Sequence, residues 1–234
     1  MLDFILLQVA NLPDVHAATT AAEPATQSLF TIISKIGFLG KLIMSVNLVL
    51  SVVAVYIFIQ KYRALNRAAQ VDENFMNNIR NSVQNGNIDS AKNLCSHTDS
   101  PMARMVEKGL ARLGKPLRDI DAAIENVGNV ELLKLEKNLS ILATTASVAP
   151  MIGFFGTVTG MIQSFYGMAT AATVTPGALA NGIYLAFIST AIGLAIGIFA
   201  YFAYNFLVTK VDHVLYNMEQ VTTEFMDMLQ EPNK

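Results

Sequence analysis

The chain has 234 residues, 53% hydrophobic and 15% charged, a balance too apolar for an ordinary soluble fold and one that points to a lipid bilayer. Its net charge of -2 carries no global basic signal, which excludes nucleic acid as an expected partner. Cys95 is the only cysteine; it excludes an intrachain disulfide and a multi-cysteine metal site, and reads as a reduced cytoplasmic thiol.

The first stretch, MLDFILLQVA, is apolar and is followed by small residues, but no Lys or Arg precedes it and the run is short, which argues against a cleaved signal. Residues 1–41 are expected as an N-terminal segment lying on the membrane surface at its outer side. Residues 42–59, LIMSVNLVLSVVAVYIFI, have about the ~20-residue length of a first transmembrane helix. Residues 60–138 hold most of the charge and read as a cytoplasmic helical domain, broken at Asn85-Gly86, Ser100-Pro101 and Gly114-Lys115-Pro116. Leu117, Ile120, Ile124, Val127, Leu132, Leu135 and Leu139 form an apolar stripe leading out of it, weakened by Gly128.

From Asn138 to Thr209 there is no Asp, Glu, Lys, Arg or His, a length too great for one crossing. The small, polar, Pro-Gly-containing residues 169–177 mark a hairpin, expected outside, between transmembrane helices at 139–168 and 178–209. Both spans exceed what a bilayer needs, so their inner ends are expected to run on as helices. Residues 210–234 continue as a cytoplasmic helix with Val211, Leu215, Met218, Thr222, Phe225 and Leu229 on a stripe that wants a partner. Lys61, Arg63, Arg67, Lys134, Lys137 and Lys210 crowd one side and only Lys35 and Lys41 the other, which predicts the N-terminus outside and the C-terminus inside. The fold class is therefore an all-α membrane protein with three transmembrane helices.

Ionisable groups at membrane depth mark ion paths and catalytic sites, and spans two and three have none. That removes an intramembrane Asp pair, a zinc-binding His-Glu motif and a Ser-His arrangement, so no catalytic residue and no metal ligand set is assigned and an enzyme is not expected. His16, His97 and His213 share no ligand spacing. The spans hold small and hydroxylic residues instead: Thr144, Thr145, Ser147, Gly153, Gly156, Thr157 and Gly160 in one, Ser189, Thr190, Gly193 and Gly197 in the other. Close helix packing explains most of them. Pro150 deletes a backbone hydrogen bond and should kink span two.

The stretches LATTASVAPMIGFFGTVTGMIQSF (142–165) and PGALANGIYLAFISTAIGL (176–194) resemble the core of the ExbB/TolQ/MotA proton-channel family, and GFFGTVTGM with STAIGL is a specific combination. The three-span, N-outside plan resembles the ExbB branch most, and TolQ next. The resemblance implies a bacterial inner-membrane motor subunit, a ring-forming homo-oligomer (a pentamer in ExbB-like proteins) with long cytoplasmic helical extensions. It implies an ExbD-like single-span partner that supplies a membrane Asp, and a TonB-like protein that carries work to outer-membrane transport. No cofactor is implied; the cargo is a proton, with sodium as the alternative. The resemblance places ion-path hydroxyls at Thr144 and Thr190, with Thr145, Ser147 and Ser189 nearby, and leaves Pro150, Gly153, Gly156, Thr157, Gly160, Gly193 and Gly197 to packing and kinking. A Glu common in ExbB-like proteins five residues before the second Thr is replaced by Leu185. A TolQ-like envelope-maintenance subunit and a non-conducting scaffold are the competing expectations.

Overall fold

The computed structural model describes residues 38–69, 74–171 and 176–230, and every described element is helical. In chain order these are α1 (Phe38–Ala69), α2 (Phe75–Gln84), α3 (Ile88–His97), α4 (Pro101–Leu110), α5 (Leu117–Glu136), α6 (Leu139–Thr170) and α7 (Pro176–Gln230). Three stretches are long and apolar enough to cross a membrane: Phe38–Ala69, Leu117–Thr170 and Gly182–Gln230. In the second of these the uncharged part is α6. Most of the segment 1–41 and the centre of the hairpin 169–177 lie outside the described residues.

The breaks between the short helices follow their chemistry. Gly86 and Gly114 have φ of 73° and 88°, a region that glycine enters without a Cβ penalty. The Asn87 side chain accepts from Ser90 N at 3.2 Å and caps α3. Ser100 accepts from Ala103 N at 3.1 Å and caps α4, with Pro101 at the first helical position.

The two expected run-on helices differ. α7 is one helix of 55 residues, about 82 Å at ~1.5 Å per residue. Between α5 and α6, however, Lys137 leaves helical geometry and Asn138 takes the left-handed conformation at φ 71°, which asparagine tolerates better than most residues. The freed carbonyls at the end of α5 are met from α1. Lys61, 9% exposed, donates from Nζ to both Lys134 O and Leu135 O at 3.0 Å. A lysine that charge counting places at the end of the first span is thus a buried cap for another helix.

Of the stripe expected on α7, Val211, Met218 and Phe225 are buried while Leu215, Thr222 and Leu229 are half-buried; the buried face runs through Leu207, Val211, Val214, Met218, Phe225 and Met228, and the helix packs on α1, α4 and α5. Gly109 of α4 is where the Phe225 ring lies; a Cβ there would also come within 2.9 Å of Ile124 Cδ1. Gly128, which weakens the α5 pattern in the sequence, is buried beneath Met105, whose Sδ would be 3.5 Å from an added Cβ. Along α1, Phe58 meets Phe199 of α7 edge-on and Tyr62 stacks with Phe206, and Lys210 Nζ reaches back to Asn66 Oδ1 at 2.8 Å.

Candidate functional site

α6 and α7 form the most intimate pair in the fold, and glycine is the reason. A Cβ on Gly193 would fall 2.6 Å from Ala149 O and 2.9 Å from Gly153 Cα; one on Gly153 would fall 2.9 Å from Ser189 O. Gly156 faces Ser189, Gly160 faces Ala186, and Gly197 faces the Pro150 ring, with its Cβ position 3.1 Å from Ala146 O. That last carbonyl is the one Pro150 leaves without its helical donor. α6 runs through Pro150 as a single helix. The packing role assigned to these glycines from sequence corresponds to backbone-to-backbone contact between two antiparallel helices.

The same crossing gathers hydroxyls around one carbonyl. Thr190 Oγ1 donates to Gly153 O at 3.1 Å, and Thr157 and Thr190 are hydrogen-bonded to each other through their hydroxyls. Ser189 Oγ donates to Ala186 O at 2.7 Å and lies 3.2 Å from Gly153 O; Thr157 Oγ1 is also 3.2 Å from Ala186 O. Ser189 and Thr157 are buried, while Thr190 is half-buried at the edge of the cluster.

The structure does not bring Thr144 to this place. Its hydroxyl bonds its own helix at Ser140 O, 2.8 Å away, and its side chain is exposed. Ser147 is likewise exposed and bonds Ala143 O and Thr144 O. Thr145 is buried but satisfied within α6 by Ile141 O at 2.8 Å. Thr157 is the span-two hydroxyl that meets Thr190, although the sequence reading left it to packing. The signal was present: at ~100° per residue, Thr157 stands about 40° from Gly153 on the glycine face, whereas Thr144 stands about 180° away.

Sequence reading also passed over Asn47. It is 1% exposed in the apolar part of α1, and its Oδ1 has no hydrogen-bond partner. Ile43, one turn earlier on the same buried stripe, contacts Gly156, with Cγ2 3.3 Å from the Cβ position. A buried amide at that register adds an unpaired acceptor to the three-helix contact.

Beyond the apolar helices, charge concentrates at the junction of α1, α4 and α5. Glu131, 5% exposed in its side chain, accepts from Arg104 Nη2 at 2.8 Å and from Lys134 Nζ at 2.7 Å; Arg104 Nη1 also binds Asp99. Burial opposes ionisation of Glu131, but these two cation hydrogen bonds outweigh it and hold the carboxyl below its ordinary range. Cys95 is buried, and burial with the nearby Glu107 pushes its thiol up to about 12. Among the described residues no three His, Cys, Asp or Glu side chains come together as a metal-holding group.

α6 and the first 34 residues of α7 thus present hydroxyls and carbonyls but no Asp, Glu, His, Lys or Arg. Chemically, such a surface can hydrogen-bond a carboxylate, order water or coordinate a cation. Comparison with known proteins agrees with the motif. Residues 97–220 match the MotA/TolQ/ExbB proton channel family. The Tol-Pal system protein TolQ of Pseudomonas aeruginosa is 28% identical over 213 residues, 86% of this chain and 92% of that protein. A putative biopolymer transport protein ExbB homolog of Methanothermobacter thermautotrophicus is 26% identical over 180 residues, 75% of this chain and 64% of that protein. The biopolymer transport protein ExbB of Aquifex aeolicus is 40% identical over 91 residues, 39% and 62% of the two chains. The chain spans less than two thirds of the length of the last two. With the family match covering more than half of the sequence, including both α6 and the hydroxyl-bearing part of α7, the chain belongs to the MotA/TolQ/ExbB proton channel family.

Proposed function

We propose that this chain is the channel-wall subunit of an inner-membrane, ion-driven motor, N-terminus periplasmic and C-terminus cytoplasmic. It assembles as a ring around an ExbD-like single-span partner whose membrane Asp carries the ion. The observation that carries the reading is the Thr157–Thr190 hydroxyl pair at the edge of an uncharged helix pair. Hydroxyls do not titrate usefully, so proton binding falls to the partner's carboxylate, and the wall's part is to hydrogen-bond it or order water beside it. A membrane potential is worth ~2.3 kcal/mol per charge per 100 mV, enough to drive protonation and release of that Asp as the partner moves against the ring.

Residues 42–59, 139–168 and 178–209 are the bilayer crossings in this reading, with 60–138 and 210–234 in the cytoplasm. Leu185 in place of the acid leaves this subunit no Asp, Glu, His, Lys or Arg in the crossings 139–168 and 178–209. The work serves either a TonB-like protein and outer-membrane transport, as the ExbB resemblance implies, or envelope maintenance, as the TolQ resemblance implies. The length of the alignment to TolQ favours keeping the second beside the first.

Replacing Thr190 by Val removes the donor to Gly153 O and the partner of Thr157 while preserving side-chain shape. The variant should assemble with its partner yet lose ion flux in reconstituted vesicles. Unchanged flux removes Thr190 from the path. Absence of flux from the unmodified complex, with no response to the partner's Asp→Asn change, leaves a non-conducting scaffold. A flux that follows sodium and ignores pH makes sodium the cargo.

A further inference from the structure

Where the apolar part of α1 gives way to charge, two cavities adjoin. One, of about 420 Å³, lies along the exposed face of α1 and is lined by Tyr56, Ile59 and Gln60, then by Arg63, Ala64 and Arg67. The other, of about 270 Å³, opens between α1, α4 and α5 and shares Ala64 and Arg67 with the first; Arg104 and Lys134 line its far side. Together they bring five cations against two carboxylates. Glu131 and Asp99 are already engaged by Arg104 and Lys134, so the surplus charge is not consumed within the cavity. Arg63 and Arg67 make no ion pair among the described residues. Arg104 Nε is buried and has no hydrogen-bond partner, a donor left over after both Nη groups are used.

The lining changes character along the helix. Tyr56 and Ile59 are exposed and belong to the apolar span; Arg63 and Arg67 follow one and two turns later on the same side. A free anion would match only the lower half of this surface. An anionic phospholipid matches both halves, with its acyl chain against the apolar residues and its phosphate among planar guanidinium groups. We propose that the paired cavities form a binding site for an anionic phospholipid, the phosphate held by Arg63 and Arg67 with Arg104 and Lys134 behind it, and the first acyl methylenes against Tyr56 and Ile59. Because Lys134 and Glu131 stand on the last turns of α5, where Lys61 caps the helix beside the Asn138 turn, the lipid also braces the joint between α5 and α6. This site is independent of the hydroxyl cluster and of the ion-path reading.

The test uses the full-length chain, assembled with its partner, in nanodiscs of phosphatidylcholine alone or of an equal mixture with phosphatidylglycerol, followed by native mass spectrometry of retained lipid. The unmodified protein should retain phosphatidylglycerol in preference to phosphatidylcholine. Each cation removed near a membrane surface weakens retention by about fivefold, so Arg63→Gln with Arg67→Gln should lose most of it. Arg63→Lys with Arg67→Lys should restore part of it, and the distant exposed pair Lys115→Gln with Arg118→Gln, which makes the same change in net charge, should retain lipid like the unmodified protein. Equal retention by the unmodified protein and the Gln pair overturns the proposal, as does an equal loss in the distant pair. Displacement of the lipid by inorganic phosphate makes the site one for free phosphate and also overturns it. Ion flux measured on the same preparations reports on the channel reading alone.

Discussion

Gly193→Ala is the sharpest test of how closely α6 and α7 approach. The added carbon would lie 2.6 Å from Ala149 O, 2.9 Å from Gly153 Cα and 3.1 Å from Gly153 N, all of them backbone atoms that no rotamer change can move. Ordinary contact begins near 3.4 Å, so the two helices must part by about 0.8 Å at this point. Parting by that amount stretches the Thr190 and Ser189 contacts to Gly153 O from 3.1 and 3.2 Å toward about 4 Å, beyond hydrogen-bond length. Overpacking of this kind costs about 1–3 kcal/mol, and each interhelical hydrogen bond in a membrane about 0.6 kcal/mol. The sum is a loss of about 2–4 kcal/mol, offset by up to about 1 kcal/mol of helix propensity gained on replacing glycine. Gly167→Ala, elsewhere in α6 with nothing within 4 Å of its Cβ position, carries the propensity gain without the clash. Reversible unfolding of both variants in mixed micelles should find Gly193→Ala destabilised by at least about 1 kcal/mol and Gly167→Ala neutral or better. If Gly193→Ala matches Gly167→Ala, the helices are not in backbone contact and the hydroxyl cluster built on that contact fails with it.

Three further outcomes follow from the helices outside the apolar spans. Glu131→Gln should destabilise the fold by about 2 kcal/mol, less than a fully buried pair because Arg104 and Lys134 are 41% and 62% exposed. Since the folded Glu131 carboxyl lies below its ordinary 4.5, its contribution is fully present above that pH and is lost as pH falls through the lower folded value; acid unfolding of the variant should lack this component. Phe225→Ala removes a fully buried ring from the contact with α4 and α5 and should cost about 3–5 kcal/mol, visible as proteolytic cleavage near the end of α7 at lower denaturant concentration. Cys95, with its thiol at about 12, should resist maleimide at neutral pH in the folded protein and react once the α2–α5 region unfolds; rapid labelling under native conditions would place it at the surface instead.

The spans, the helix breaks and the C-terminal stripe were legible because each is written in a strong local signal. Charge stops at Asn138 and resumes at Lys210, Gly86 and Gly114 demand positive φ, and Ser100-Pro101 caps a helix. The faces of α6 were harder. It is apolar on every side, so periodicity does not announce which residues turn toward α7, and its hydroxyls at Thr144, Thr145, Ser147 and Thr157 look equivalent as a list. The glycines break the tie, because only the face carrying Gly153, Gly156 and Gly160 admits a second backbone. Lys61 and Asn138 show a different gap. A lysine at the end of a span satisfies the charge rule whether it points to water or caps α5 73 residues away, and a left-handed asparagine leaves no mark on hydrophobic pattern.

α7 has neither glycine nor proline after Gly197, and it remains one helix to Gln230. Mechanically it is a beam clamped at one end by the Gly153–Gly193 crossing and gripped at the other by Phe225 between α4 and α5. Thr190 and Phe225 are 35 residues apart, about 52 Å of axis. A tilt of about 2° at the hydroxyls therefore swings the far end by about 2 Å. With neither glycine nor proline after Gly197 to act as a joint, a shift on the scale of one hydrogen bond at the crossing would reach the far end of α7 as a displacement large enough to repack side chains.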